Sequence, residues 1–390
     1  MPAKALRKPA QFLAASAILL CVLFLVSCGN NGTPPIVCNA PSGSSSSPSC
    51  TCGATGTQAC PAELNEYLYT SGGSGQILAF SITATTGALS GPTSSASGPA
   101  SIGMAMVDGQ FFYVSDPAHG QLDGFSVNQP GALGALAGSP FAVGQGSTPQ
   151  GMVSPSGSQT LYVADASGVD AFTVSPAGVP TAISGSPFPS GANTYLTTDS
   201  YGQFLYTSID DPPGGVYGFS IGTSGGLTEI AGSPFRIQGQ TAPNSLPAGI
   251  IDNNSYVYAA LTGSNQIAAF AVTTGTGVLT PVANSPFPAG NGPTALALSN
   301  NFLYAINSAD STISGYSIDS STGVLTPLAN SPFAIAGTAL SADFTGQYLY
   351  VSGVSGIEGY SIDPNTGSLT IIAGSPFAAS QVVSLTVLQE

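Results

Sequence analysis

One histidine and, beyond residue 8, one arginine are all the side chains here that could supply positive charge to a reaction. His119 lies in Asp116-Pro117-Ala118-His119-Gly120-Gln121, and Arg236 follows the triplet Ser233-Pro234-Phe235. An imidazole is suited to general-base work near neutrality, and a guanidinium can clamp a carboxylate or a developing oxyanion. Together they would suit the opening of a lactone or a related ester. The second constellation is acidic: Asp116, Asp165, Asp210, Asp211 and Asp310 fall in turns expected on one side of the protein. Carboxylate oxygens in that number are Ca²⁺ chemistry. The Asp-x-Asp-x-Asp-Gly spacing of a dedicated calcium loop does not occur, so Asp and Pro read first as bend formers, and His119 as an exposed turn residue. Gly222-Thr223-Ser224-Gly225-Gly226 has the letters of a nucleophile elbow. No helix is expected after it, and it reads as a hairpin turn. These residues lean away from an enzyme and imply no resident cofactor.

The charge balance narrows the field further. Lys and Arg number 4 against 18 Asp and Glu, and charged residues make up 6% of the chain, where ordinary domains carry about 25%. Nucleic-acid binding needs clustered cations and is excluded. Three of the four basic residues, Lys4, Arg7 and Lys8, precede an apolar stretch from Phe12 to Val26. That is a secretory signal pattern, too short for a comfortable bilayer span. It ends in Leu25-Val26-Ser27-Cys28, which resembles the bacterial lipobox, in which the cysteine is acylated and becomes the mature N-terminus. Residues 1–27 are therefore expected to be a lipoprotein signal peptide. With Gly29 following Cys28, the address expected is the cell envelope, on the outer membrane, with the lipid as the membrane contact. Without the signal, Arg236 stands alone against the 18 acids, so the surface repels phosphorylated metabolites.

Residues 28–62 are rich in Gly, Ser, Thr and Pro, lack apolar periodicity and read as a tether. An exported compartment permits disulfides among Cys38, Cys50, Cys52 and Cys60, paired 38–50 with 52–60 or 38–52 with 50–60. A zinc site is the rival reading, with no histidine nearby to favour it.

What must position the candidate residues is a repeat. A Leu-Tyr strand signature recurs seven times between 63 and 390, its last tyrosines being Tyr69, Tyr113, Tyr162, Tyr206, Tyr258, Tyr304 and Tyr350, 44 to 52 residues apart. A second strand follows each, then a Gly-x-Leu turn and strand, and six repeats close on Ser-Pro-Phe. With 50 Gly and 31 Pro, and no helical period, four short strands per repeat predict an all-β, seven-bladed β-propeller with four antiparallel strands per blade. Proline lacks a ladder donor, so Ser-Pro-Phe belongs at the outer edge of each blade, with its Phe filling the space between blades. Blade one lacks a first strand, and Val382–Leu388 is one strand too many at the other end. The C-terminal strand is predicted to close blade one.

The Leu-Tyr-Val-Ser strand, the Asp-x-x-Thr-Gly-x-Leu turns (Asp319 to Leu325, Asp363 to Leu369) and the sevenfold count resemble the lactonase-type seven-bladed propellers. Bacterial 6-phosphogluconolactonase and the carboxymuconate-lactonising enzymes belong to that group. Tyr113-Val114-Ser115-Asp116 and Tyr162-Val163-Ala164-Asp165 also resemble the Tyr-Val-Thr-Asn repeats of surface-layer propellers. The resemblance covers about 63–390 and implies the fold. The activity it implies departs from this chain, since lactonases of that group rely on several Arg, His and Glu residues around the channel. Their phosphorylated substrate is cytosolic and needs a cationic pocket. The expectation is a scaffold whose loops bind a protein or a small neutral ligand, with hydrolysis of a non-phosphorylated lactone or ester as the alternative.

Overall fold

The computed structural model describes residues 66–72, 75–97, 103–128, 131–144, 147–191, 195–209, 214–237, 247–379 and 381–389, and two short N-terminal strands, Val37–Asn39 and Ser49–Thr51. The chain divides into two compact units, Met1–Glu63 and Leu64–Glu390. In the first, the two strands pair antiparallel with the backbone of Cys38 opposite that of Cys50. Cys28, Cys52 and Cys60 lie outside the described residues, as does the signal segment.

The second unit is seven antiparallel sheets and, among the described residues, no helix. The Leu-Tyr segments form the second strand of each blade, for example Phe111–Asp116, Thr160–Asp165 and Phe302–Asn307. These strands are almost wholly buried, as runs without polar alternation demand when both faces pack on neighbouring blades. The predicted closure is present. Val382–Gln389 pairs along Glu66–Gly72 and stands first in the sheet it shares with Gln76–Ile82 and Leu89–Ser97.

The apolar core is seven separate clusters, one between each pair of adjacent blades. One joins Tyr69 and Phe112 of blades one and two; another joins Tyr350 of blade seven to Leu68 and Phe80 of blade one. A buried hydroxyl crosses six of the seven seams. The Leu-Tyr tyrosine donates to the carbonyl of a turn glycine in the following blade: Tyr113 to Gly178, Tyr162 to Gly225, Tyr206 to Gly277, Tyr258 to Gly323, Tyr304 to Gly367 and Tyr350 to Gly87, at 2.7 to 3.1 Å. Burial raises all six phenol pKa values. The turn residue must be glycine. At Gly277 φ is +69°, and a Cβ there would lie 2.5 Å from the Phe204 ring.

Ser-Pro-Phe, with a cis peptide before each proline, divides the outer strand into two pieces. In blade two Ala132–Ala135 pairs with one end of Gln121–Asn128, and after the turn Phe141–Ala142 pairs with the other end. At the break the serine hydroxyl takes the place of a strand carbonyl. It accepts the third-strand N–H of Gly124, Ala171, Gly218, Ala269, Gly315 and Gly359 in blades two to seven, at 2.8 to 3.1 Å. The phenylalanines join the clusters between blades, as expected. Blade one has no such triplet and carries a cis Gly91–Pro92 in its continuous outer strand.

Candidate functional site

The turns after each second strand and the connections between blades lie at the same ends of the sheets, as the pairing of Gly215 with Arg236 and of Gln121 with Ala142 requires. Asp116, His119, Asp165, Asp310 and Arg236 therefore belong to one loop face. Asp210 and Asp211 lie outside the described residues.

His119 is bound to Asp116 by two contacts within one turn. Its backbone N–H donates to Oδ1 at 3.2 Å, and its Nδ1 lies 2.6 Å from Oδ2. The Asp116 side chain is 12% exposed and that of His119 is 69% exposed. A buried carboxylate thus orients an imidazole that is mostly exposed, an arrangement that suits deprotonating a water molecule. Arg236 lies on the outer edge of blade four, where its guanidinium donates to the Gly214 carbonyl at 3.3 Å. Blade three separates the two residues, and the side-chain hydrogen bonds of each stay within its own blade.

Asp165 and Asp310 serve as staples. One oxygen of Asp165 accepts the N–H of Thr148, in the segment arriving from blade two; the other accepts from Ser167, backbone and hydroxyl. Asp310 repeats this, accepting the N–H of Asn291 in the segment from blade five and the hydroxyl of Thr312. These donors hold its pKa below the ordinary carboxylate value. Among the described residues no group of three or more His, Cys, Asp or Glu is placed to hold a metal ion.

Among the carboxylates not picked out from the sequence are the buried Asp170 and the half-buried Asp123. Asp170, within the third strand of blade three, is 5% exposed. The hydroxyl of Ser186 donates to its Oδ1 at 3.4 Å, while Oδ2 has no partner. Burial, reinforced by repulsion from Asp165, pushes its pKa up to about 6. Asp123 holds the equivalent place in blade two, raised by burial and by Asp116, with His119 opposing. The available signal was a carboxylate inside the apolar run Val169-Asp170-Ala171. The elbow-like Gly222–Gly226 is a closed turn, with the Gly222 N–H bonded to the Gly226 carbonyl at 2.9 Å and no helix after it.

A sequence model of the family described as "Lactonase, 7-bladed beta-propeller" matches residues 237–341. No curated protein sequence matches the chain. Among solved structures, a putative 6-phosphogluconolactonase from Bacteroides fragilis superposes with a TM-score of 0.69 at 18% identity, covering 85% of this chain and 100% of its own. A periplasmic gluconolactonase from Pseudomonas aeruginosa gives 0.65 at 16% identity, with 83% and 99% covered. A putative 6-phosphogluconolactonase from Bacteroides uniformis gives 0.69 at 15%, with 84% and 100% covered. The chain thus has the fold of the seven-bladed lactonase propellers, and its residues 237–341 carry that family's sequence pattern.

Proposed function

We propose that this protein is a lipid-anchored, extracytoplasmic propeller whose loop face binds a protein or a small neutral ligand without transforming it. The observation that carries this reading is the commitment of the charged loop residues. Every carboxylate oxygen of Asp116, Asp165 and Asp310 is engaged by its own loops, and Arg236 is bonded to Gly214. Such loops are pre-organised and lack the cationic pocket that a phosphorylated sugar lactone requires. The signal pattern and Cys28 support the envelope address, with acylation as the attachment.

A second reading rests on the Asp116–His119 pair. An oriented, mostly exposed imidazole would suit water attack on an uncharged lactone. Incubating the full chain and a His119→Ala variant with a panel of non-phosphorylated lactones, with and without chelator, separates the two. The binding reading expects hydrolysis no faster than in buffer. Turnover lost in His119→Ala would overturn it in favour of the hydrolase, and turnover lost with chelator would point to metal at the aspartate rim.

A further inference from the structure

At the opposite end of the blades, a groove of about 320 Å³ opens along the seam between blades three and four. Its walls include Pro155, Ser158 and Thr160 from blade three and Tyr201, Gln203 and Thr223 from blade four. Two other seams are bridged at this level by an asparagine. Asn254 of blade five accepts the N–H of Ser200 at 2.7 Å, and Asn300 of blade six donates to the Gly346 carbonyl of blade seven at 3.2 Å. Between blades three and four the corresponding contact is Pro155 against Gly202, and the blade-three turn carries Gly157, where a Cβ would meet nothing within 4 Å. The seam is left open there.

Tyr201 is 75% exposed, the most exposed aromatic ring among the described residues. Facing it, the hydroxyls of Ser158 and Thr160 lie 2.6 Å apart. No charged side chain lines the groove. We propose that this groove binds a neutral saccharide, with one sugar ring stacked on Tyr201 and its hydroxyls hydrogen-bonded by Ser158, Thr160, Gln203 and Thr223. The chemistry selects that class. A pyranose presents an apolar C–H face to an aromatic ring, while its hydroxyls both donate and accept, as the Ser, Thr and Gln groups do. A phosphorylated or carboxylated ligand would find no cation here and an acidic protein around it. The volume is at the lower end of the ~300–1,000 Å³ typical of small-molecule sites, room for one or two sugar rings.

The site is independent of the loop-face reading, and the test keeps the two apart. Isothermal titration calorimetry of the full chain with maltose, cellobiose and diacetylchitobiose should give saturable heat with at least one. Tyr201→Ala should weaken that binding about tenfold or more, which is ~1.4 kcal/mol. Tyr201→Phe, which keeps the ring, should retain most of it, and Phe344→Ala, which removes an exposed ring outside the groove, should bind like the native chain. Because Tyr201 packs into no core cluster, both Tyr201 variants should keep the native circular dichroism and melting temperature, so lost binding reports on the groove. No heat with any of the three sugars, or undiminished binding by Tyr201→Ala, would overturn the proposal.

Discussion

Asp170 places an acidic group where burial favours its neutral form. Burial first, and repulsion from Asp165 second, push its carboxyl up to about 6 from an ordinary 3.8, and one of its oxygens has no partner. Asp252 is likewise pushed up to about 6, by burial first, with a hydrogen bond from Asn254 opposing and repulsion from Asp199 adding. The folded chain therefore keeps protons that the unfolded chain releases between about pH 4 and pH 6. The resulting stability is fully present below about pH 4, is lost as pH rises through 6, and stays lost above it. Asp310, held below 3.8 by its hydrogen bonds, acts the other way as pH falls through its own lowered range. The urea midpoint should accordingly be higher at pH 5 than at pH 7.5. Asp170→Asn, which mimics the protonated form, should stabilise the chain at pH 7.5 by up to about 3 kcal/mol and shrink the pH difference. A pH profile identical to that of the native chain would show that Asp170 is not the group responsible. The tyrosine spacing and turn aspartates were legible in the sequence because they recur. Asp170 was not, because nothing in its local pattern says that a strand position in blade three lies beside Asp165.

The outer strand shows the same limit one level up. Proline placed Ser-Pro-Phe at the blade edge from the sequence, and the phenylalanines fill the clusters between blades as expected. The division of the strand into two pieces was not legible, since it depends on a serine hydroxyl standing in for a carbonyl sixteen residues along the chain in the Gly315–Ser331 pair. That bond serves a part-buried backbone donor in the middle of a sheet. Ser331→Ala should cost about 1–2 kcal/mol, the usual penalty for stranding such a donor, read as a lowered urea midpoint with an unchanged slope. The small residues beside it are explained by the same packing: at Gly315 a Cβ would lie 2.8 Å from the Phe333 ring. The repeat already assigned His119 to blade two and Arg236 to blade four, and the structure has blade three between them; what the sequence did not show is that Asp116 and Gly214 are their respective partners.

Across the whole ring, stability comes from seams. Each blade is held by two apolar clusters and, at the seams described, by a tyrosine hydroxyl reaching the next blade, including Tyr350 to Gly87 between the last blade and the first. Blade count and closure were the most legible features, because the surplus strand at one end answered a deficit at the other. Removing residues 381–390 should leave the edge of Glu66–Gly72 unpaired and abolish cooperative unfolding, measured by thermal melts followed by circular dichroism. A truncated chain that melts as sharply, at the same temperature, would contradict that dependence. The position of Val382–Gln389 also governs timing. During synthesis from the amino end, blade one must stay unfinished until these residues are made, so the ring cannot close around a partly built chain.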